Sequence, residues 1–588
     1  MMLCAGLVVS LVGGHGLAGA SYAASSNTVH DVAGIALPDT TATDPPPRTV
    51  DHDGVLRIND PLHRFLERQQ TLGRLPRAVL THQPLSVGEA HRHLDSLQVR
   101  RSQLSASEQA MLDRYQRRTD RPGAAWGQRS GGFANGHDLL SASGAGYAVQ
   151  ANPVLYGTAG SVHETDVPSR RSTTAAWRSS IGARVQGRLG RYVFFDLQAD
   201  ASRARPPRVQ VPDEGRSTAP RLGKVTLRGD TYEYTSVRGT VGLRTRFFEV
   251  RAGRDQNRWG PGAGSVMLSN FGPAYNQLQL RTTVWRVQYT NLYTRYAAPA
   301  GPSAPDETPD LTRRPRSYGA SHRLAIDLTD NIEIGLFETI VFAPERDSTV
   351  NRRGYDVAFL NPIIFLRAVE RELGSPDRAL VGIDGAWTAT PGLRLYGQFV
   401  LDEFVANEIG QQWWGNKWAW TLGAHVVLPA QPDLSLRAEF ARLRPHIYAH
   451  TYVPNSYAHW DDGLGYPTGP NSIDMALRAE YQPAGAWQAG LNVAYTQRGR
   501  NTETQNFGSD ATRTNQTRER DRGVAMLQGV RQNILMLEGH VGVEVLPQLI
   551  VEAAVRAEQI TDAERPRDRY VHPYLAVRWG LPFQSTRY

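Results

Sequence analysis

The stretch Leu393-Arg-Leu-Tyr-Gly-Gln-Phe-Val-Leu401 decides the fold class. Its apolar side chains at positions 393, 395, 399 and 401 alternate with Arg394, Tyr396 and Gln398. A period of two places alternate residues on opposite faces of a β-strand. Segments 434–440, 473–481, 487–495, 549–557 and 575–581 show the same alternation. From about Gly144 onward, the chain is therefore predicted to be β-structure.

Counting these segments separates a soluble β-fold from a membrane barrel. About 18 strands are expected between residues 144 and 588, and bacterial outer-membrane barrels have an even number of strands. Short turns, as at 329–331 and 390–392, alternate with long loops, as at 256–275 and 445–471. This rhythm is typical of a barrel with short periplasmic turns and long external loops. The sequence predicts a mainly β, transmembrane antiparallel barrel in the outer membrane of a Gram-negative bacterium.

The residues before the barrel divide into three parts. Residues 1–24 are interpreted as a signal peptide because an apolar core is followed by the small residues Ser21 and Ala23 before Ala24. Residues 25–58 are predicted to be a flexible linker, and 59–143 a helical segment on the periplasmic side. Asp60-Pro61 is a helix start, and Ser86 with Glu89 and Ser105 with Glu108 form capping boxes. Three short helices are therefore expected, placed to cap or plug the barrel.

Composition narrows the possible functions. Among 588 residues, 40% are hydrophobic and 21% charged, and the formal net charge is +8. The charges are spread along the chain, which argues against a nucleic-acid partner. The single cysteine, Cys4, lies in the predicted signal, so no disulfide, thiolate metal site or cysteine nucleophile is expected after export. We expect no metal and no cofactor.

Aromatic residues in the long loops are the candidate ligand contacts. Tyr457 and Trp460 lie in the middle of the 445–471 loop, and Trp413 and Trp414 lie in the 405–416 loop. Aromatic faces suit the apolar faces of sugar rings. For the tryptophans next to strand ends, an interfacial aromatic girdle remains the alternative.

The Gly/Pro-rich loop after residue 257 is a second candidate site. Arg258 and Trp259 stand at its start and offer a guanidinium and an indole to a sugar acid. The alternative is a structural turn folded into the barrel mouth.

Local motifs for catalysis are missing. Asp402 and Glu403 are adjacent on a strand and point to opposite faces, so they do not flank one glycosidic bond. No G-x-S-x-G elbow occurs. A non-enzymatic protein is expected; a diffusion porin or polysaccharide exporter stays open as the alternative, and an outer-membrane hydrolase with scattered catalytic residues as a lesser one.

Several motifs, taken in order, resemble the capsule assembly Wzi family. They are Gln83-Pro-Leu-Ser-Val-Gly-Glu89, Arg258-Trp-Gly-Pro-Gly262 with Leu268-Ser-Asn270, Phe359-Leu-Asn-Pro-Ile-Ile-Phe365 with Glu370 and Gly374-Ser375, Asp384, and Gly397-Gln-Phe-Val-Leu-Asp-Glu-Phe404. The resemblance covers most of the chain from Asn59. It implies an eighteen-stranded outer-membrane barrel with an N-terminal helical bundle at its periplasmic end. It also implies a lectin-like role that attaches capsular or related exopolysaccharide to the cell surface. The partners expected are that glycan, outer-membrane lipid and lipopolysaccharide, with the protein as a monomer.

Overall fold

The alternating segments fold into a closed ring of antiparallel strands. The computed structural model describes residues 54–119, 131–133, 136–144, 146–166, 170–207, 218–299, 314–343, 355, 357–362, 377–564 and 567–582. Within these residues eighteen strands pair with their chain neighbours, and the last pairs with the first to close the barrel. The strand number expected from the sequence is confirmed.

The strands are β1 Tyr147–Asp166, β2 Arg170–Leu189, β3 Val193–Arg205, β4 Thr231–Arg244, β5 Phe248–Asp255, β6 Tyr275–Val284, β7 Val287–Ala297, β8 Arg316–Asp327, β9 Ile332–Phe342, β10 Arg378–Thr390, β11 Leu393–Glu403, β12 Lys417–Val427, β13 Leu434–Leu443, β14 Ser472–Tyr481, β15 Trp487–Arg500, β16 Val530–Leu546, β17 Leu549–Asp562 and β18 Asp568–Trp579. Leu140–Gly144 forms a short hairpin with the start of β1.

The barrel wall is apolar outside and polar inside. On β11, Arg394, Tyr396 and Gln398 are buried in the lumen, while Leu395 and Phe399 are exposed on the outer face. The same alternation on the other strands leaves a continuous apolar exterior of exposed valine and leucine side chains. This is the pattern of a barrel whose outside contacts lipid.

The two ends of the barrel differ. One end carries short turns, such as Pro391-Gly392 between β10 and β11 and Leu328–Asn331 between β8 and β9. The other end carries the long connections, including 256–274, 404–416, 444–471 and 501–529. We refer to them as the short-turn end and the long-loop end.

Three helices precede the barrel, as predicted: α1 Pro61–Thr71, α2 Val87–Val99 and α3 Ala106–Thr119. Asp60 Oδ1 accepts a hydrogen bond from Leu62 N at 2.9 Å, which caps α1. The second capping box is complete, since Ser105 Oγ accepts from Glu108 N and Glu108 Oε2 accepts from Ser105 N. In the described part of the chain, no helix has the length and apolar character needed to cross a membrane.

The helical segment is docked at the short-turn end. Gly392 N donates to Thr71 O at 2.9 Å, and Thr71 Oγ1 bonds the ring of His425 on β12. Ser107 Oγ on α3 donates to both carboxylate oxygens of Asp433 in the β12–β13 turn. The helices are thus fixed to the wall by side-chain and backbone bonds.

The N-terminal assignments are only partly within the described residues. The predicted signal peptide, 1–24, and residues 25–53 of the predicted linker lie outside them. Residues 54–58, assigned to the linker, instead pack with the helices: Val55 bridges Ser86, and Leu56 N donates to Leu85 O at 2.7 Å. This packing buries the apolar side chains of residues 54–58, whose burial was not predicted from the sequence.

One ion pair within the helical segment carries a stability prediction. Asp60 accepts two hydrogen bonds from Arg118 on α3, at 2.8 and 2.7 Å, and both side chains are largely buried. Asp60→Asn keeps the helix cap but leaves Arg118 without its counter-charge. Breaking a buried pair in this way costs about 3 kcal/mol. Hydrogen exchange of the helical segment measures the loss.

The matched control is Asp113→Asn, which breaks the half-exposed pair of Asp113 with Arg101. Surface pairs contribute about 1 kcal/mol or less. Equal effects of the two substitutions would contradict the structural role given to Asp60.

Candidate functional site

The connection 256–274 between β5 and β6 is folded into the barrel; we call it the inserted loop. Its Arg258 and Trp259 pair antiparallel with Gln83 and His82 of the helical segment. Gly260 N also donates to Thr81 O at 2.8 Å. The long-loop end and the helical segment therefore meet inside the lumen through direct strand pairing.

Two glycines make this path possible. Gly260 and Gly262 have φ of +93° and +98°, a backbone region that favours glycine. A Cβ at Gly262 would lie 2.5 Å from Glu439 Oε1, so the loop backbone lies directly against the β13 side chain. Glycine is thus required at positions 260 and 262 by the positive φ angles, and at 262 also by the close contact with Glu439.

Wall side chains hold the inserted loop in place. Gln398 Nε2 donates to Pro261 O at 2.5 Å, and its Oε1 accepts from Val266 N at 3.1 Å. Glu439 Oε1 accepts from Ala263 N at 2.6 Å and from Tyr396 Oη at 2.7 Å. The lumenal polar residues predicted from alternation thus satisfy the backbone of an internal loop.

The structure places Arg258 and Trp259, the predicted contacts for a sugar acid, inside the barrel. Trp259 is fully buried, with its ring centroid 5.9 Å from Phe337 and 5.7 Å from His82. Arg258 is 6% exposed and faces an internal cavity. The loop is a buried turn that reaches into the lumen, and contact of Arg258 with a sugar acid stays a prediction.

Ion pairs join the helical segment to the lumen wall. Arg437 on β13 lies 3.3 Å from Glu67 on α1, and Arg64 on α1 lies 3.1 Å from Glu480 on β14. Burial alone would raise the pKa of Glu67, but the nearby Arg437, with His63, lowers it to about 2. Glu67 therefore stays ionised at neutral pH, and its negative charge attracts Arg437 on the barrel wall.

This pKa gives a pH prediction. A carboxyl whose pKa is lowered in the folded state stabilises that state above its unfolded pKa, near 4.5, and loses this contribution as the pH falls toward 2. We expect proteolysis of the helical segment to accelerate as the pH is lowered through this window, measured with an acid-active protease. Glu67→Gln should flatten the dependence; an unchanged cleavage rate across the window in the wild type would contradict the prediction.

The 444–471 connection forms a layer over the inserted loop. Tyr448 Oη donates to Val266 O at 2.6 Å, and Tyr457 Oη donates to Met267 O at 2.7 Å. Tyr457 is completely buried, and burial raises its pKa well above the usual value. Tyr457, expected to be a leading ligand contact, offers no ring face to solvent in this conformation; its observed contacts secure the loop layer.

Trp460 is placed differently. It is half-buried, has φ of +58°, and its backbone N–H donates to Ala297 O at 2.7 Å. The Arg314 guanidinium lies 5.0 Å from its ring centroid and also pairs with Asp461 at 2.8 Å. Trp460 thus presents an indole beside a cation at the long-loop end.

Trp413 and Trp414 form a second aromatic site at this end. Both are half-buried, and their ring centroids lie 5.7 Å apart. The Arg518 guanidinium lies 4.2 Å from the Trp414 ring, and Lys417 Nζ lies 5.1 Å from it. Arg444 Nη2 of the 444–471 connection donates to Trp413 O at 3.1 Å, so we count the 404–416 connection in the same loop layer. Trp420 of β12, by contrast, stacks on Phe440 on the outer wall. The girdle alternative therefore describes Trp420 and not Trp413 or Trp414.

The cations beside these tryptophans, Arg314, Arg518 and Lys417, were not predicted from the sequence. Each lies beside its tryptophan only after folding. Lys417 is fully buried and donates to Glu403 at 2.6 Å, so its charge is fixed in place. Each of the three cations also pairs with a carboxylate: Asp461, Asp521 and Glu403 respectively. The indoles, with these ion pairs beside them, form sites suited to the face and the polar groups of a sugar ring.

The remaining candidates for chemistry are metal ligands and the adjacent carboxylates Asp402 and Glu403. No group of three or more His, Cys, Asp or Glu side chains there is arranged to hold a metal ion. Asp402 pairs with buried Arg378 and accepts from Tyr448 N at 3.0 Å, while Glu403 pairs with Lys417. The prediction that adjacent carboxylates point to opposite faces is wrong here, because a register shift after Leu401 places Glu403 opposite the buried Lys417, on the same side as Asp402. The two carboxylates serve separate ion pairs.

A closed strand ring with an apolar exterior, a polar lumen and long loops at one end defines an outer-membrane β-barrel protein, here with internal helices and an inserted loop. The family model described as Capsule assembly protein Wzi matches residues 162–565, and the chain belongs to this family. The protein is accordingly located in the outer membrane.

The fold is shared with one solved structure, and others match more weakly. The chain is similar to Wzi of Escherichia coli, described as an outer membrane protein involved in group 1 capsule assembly and as a carbohydrate-binding β-barrel; identity is 12%, the TM-score 0.53, and coverage 90% of this chain and 100% of that one. OprD from Pseudomonas aeruginosa matches at 11% identity and a TM-score of 0.39, over 73% of this chain and 92% of that one. No protein with a curated description matches in sequence.

Proposed function

We propose that this protein binds capsular or related exopolysaccharide at its long-loop end and attaches or organises it at the cell surface. The observation that carries the proposal is the pairing of half-buried tryptophans with fixed cations in the loop layer: Trp414 with Arg518, and Trp460 with Arg314. Indole faces pack against pyranose rings, and guanidinium groups bind carboxylates. The preferred glycan is therefore acidic.

The occupied lumen supports a binding role over free diffusion. The inserted loop and the helical segment share backbone hydrogen bonds inside the barrel. We infer that the protein acts without chemical turnover, as a monomer surrounded by outer-membrane lipid and lipopolysaccharide. Membership in the capsule assembly family is consistent with this role.

The test is direct binding. Detergent-purified protein is passed over immobilised acidic exopolysaccharide from its own strain, and over the same polymer after its carboxyl groups are reduced. We expect retention on the first polymer and at least about tenfold weaker retention on the second, because a charge-assisted contact is lost. Failure to bind the native polymer, or release of shortened glycan from it, would contradict the proposal.

A further inference from the structure

A cavity lies where three parts of the molecule meet: helix α1, the inserted loop and the wall strands β13–β16. Its volume is about 40 Å³, and it is partly open to solvent. Its lining includes Arg64, Arg258, Arg437, Arg478, Glu67 and Glu480. The function proposed for the long-loop end makes no use of this cavity.

The ion pairs of the lining leave one arginine out. Glu67 pairs with Arg437, and Glu480 pairs with Arg64. The adjacent Glu439 accepts hydrogen bonds from Tyr396 and from the backbone of the inserted loop. Among the described residues, Arg258 has no carboxylate within ion-pair distance.

Arg258 also has few hydrogen bonds. It is 94% buried, yet within the described residues its one hydrogen bond runs from Nη1 to Ala263 O at 3.4 Å, and its Nε has no partner. Burial lowers the pKa of Arg258, although Glu67 counteracts the shift. A buried guanidinium without a carboxylate or carbonyl partner at short range is costly, which favours a ligand that supplies the missing acceptor.

We propose that this cavity binds a small oxyanion, either a carboxylate or a phosphate group, through Arg258 with Arg437 and Arg478. A guanidinium presents paired N–H donors that match the oxygens of either group. Asn59, Gln83 and Asn492 add neutral polar groups to the same lining. The side chains of Arg64 and Glu480 keep 20% and 26% of their surface exposed, which leaves a solvent route for an ion.

Such an anion joins the inserted loop, the helical segment and the wall in one contact. The site goes beyond glycan binding at the long-loop end, because it lies inside the barrel and uses none of the loop-layer tryptophans. Its ligand is free inorganic phosphate or the charged group of an acidic saccharide.

The experiment measures thermal unfolding of the detergent-purified barrel at constant ionic strength. Sodium phosphate, sodium glucuronate and glucose are each titrated against sodium chloride. We expect a saturable stabilisation by phosphate, by glucuronate or by both, and none by glucose. Phosphate alone identifies the free ion as the ligand, and glucuronate identifies a saccharide acid. The absence of any saturable anion effect would overturn the proposal.

Arg258→Gln should weaken anion binding about tenfold or more, because a charge-assisted pair is lost. The matched control is Arg178→Gln, which removes the same charge from another part of the lumen wall, where Arg178 lies 4.8 Å from the Tyr156 ring. Arg258→Lys keeps the charge without the paired donors and should give intermediate affinity, which tests the site if the glutamine variant does not fold. Equal anion affinity in Arg258→Gln and the wild type, or equal loss in the Arg178 control, would refute the assignment.

Discussion

Removal of the inserted loop is expected to convert a nearly non-conducting barrel into an open channel. The variant replaces residues 258–268 by two glycines, which removes the strand pairing with His82 and Gln83 and the contacts with Gln398 and Glu439. An eighteen-stranded barrel is wide enough for an aqueous path once its internal segments are withdrawn. Single-channel conductance in planar bilayers should rise at least about tenfold over the wild type.

The control shortens a different connection. Deleting residues 407–411 removes exposed residues of the 404–416 loop and leaves the inserted loop intact. Its conductance should stay at the wild-type level. Heat-dependent gel mobility verifies that both variants form barrels. A wild-type protein that already conducts steadily, or a loop-replaced variant that does not, would show that the inserted loop is not the barrier.

The second large effect is expected at the tryptophan beside Arg518. Trp414→Ala removes the indole on which Arg518 lies, at 4.2 Å, and so removes both the stacking face and the support of the cation. The variant loses an aromatic contact for the sugar and the support of the Arg518 guanidinium. We therefore expect it to bind the glycan at least about tenfold more weakly. Surface plasmon resonance on the immobilised native polysaccharide measures it.

Trp420→Ala is the matched control, because this tryptophan lies on the outer wall and stacks on Phe440. It removes the same side chain from the same region of the chain without touching the loop layer, so glycan affinity should be unchanged. The assignment of the site fails if the two substitutions have equal effects. Trp460→Ala tests the second aromatic site in the same assay and should also weaken binding.

Much of the fold could be predicted because its signals are local. A period of two over nine residues, as in 393–401, identifies both the strand and its lumenal face, and the cap residues Asp60, Ser86 and Ser105 identify the helix starts. The difference between short and long connections also lies in the sequence itself. These features need no knowledge of distant contacts.

The site was less predictable because burial in the loops depends on distant segments. Tyr457 and Trp460 are three residues apart, yet one is buried against Met267 of the inserted loop and the other is half-exposed beside Arg314. Nothing in the 445–471 sequence distinguishes them. Likewise, the contact of Trp259 with His82 joins segments with no shared local signal.

The central claim is that this protein holds an acidic polysaccharide at the cell surface. The most direct measurement is the ratio of released to cell-associated polysaccharide in a strain that lacks the gene, compared with the same strain complemented by the wild type or by Trp414→Ala. The account predicts polysaccharide shed into the medium at unchanged total synthesis, restored by the wild type and only partly by the variant. An unchanged ratio in the deletion strain would contradict it.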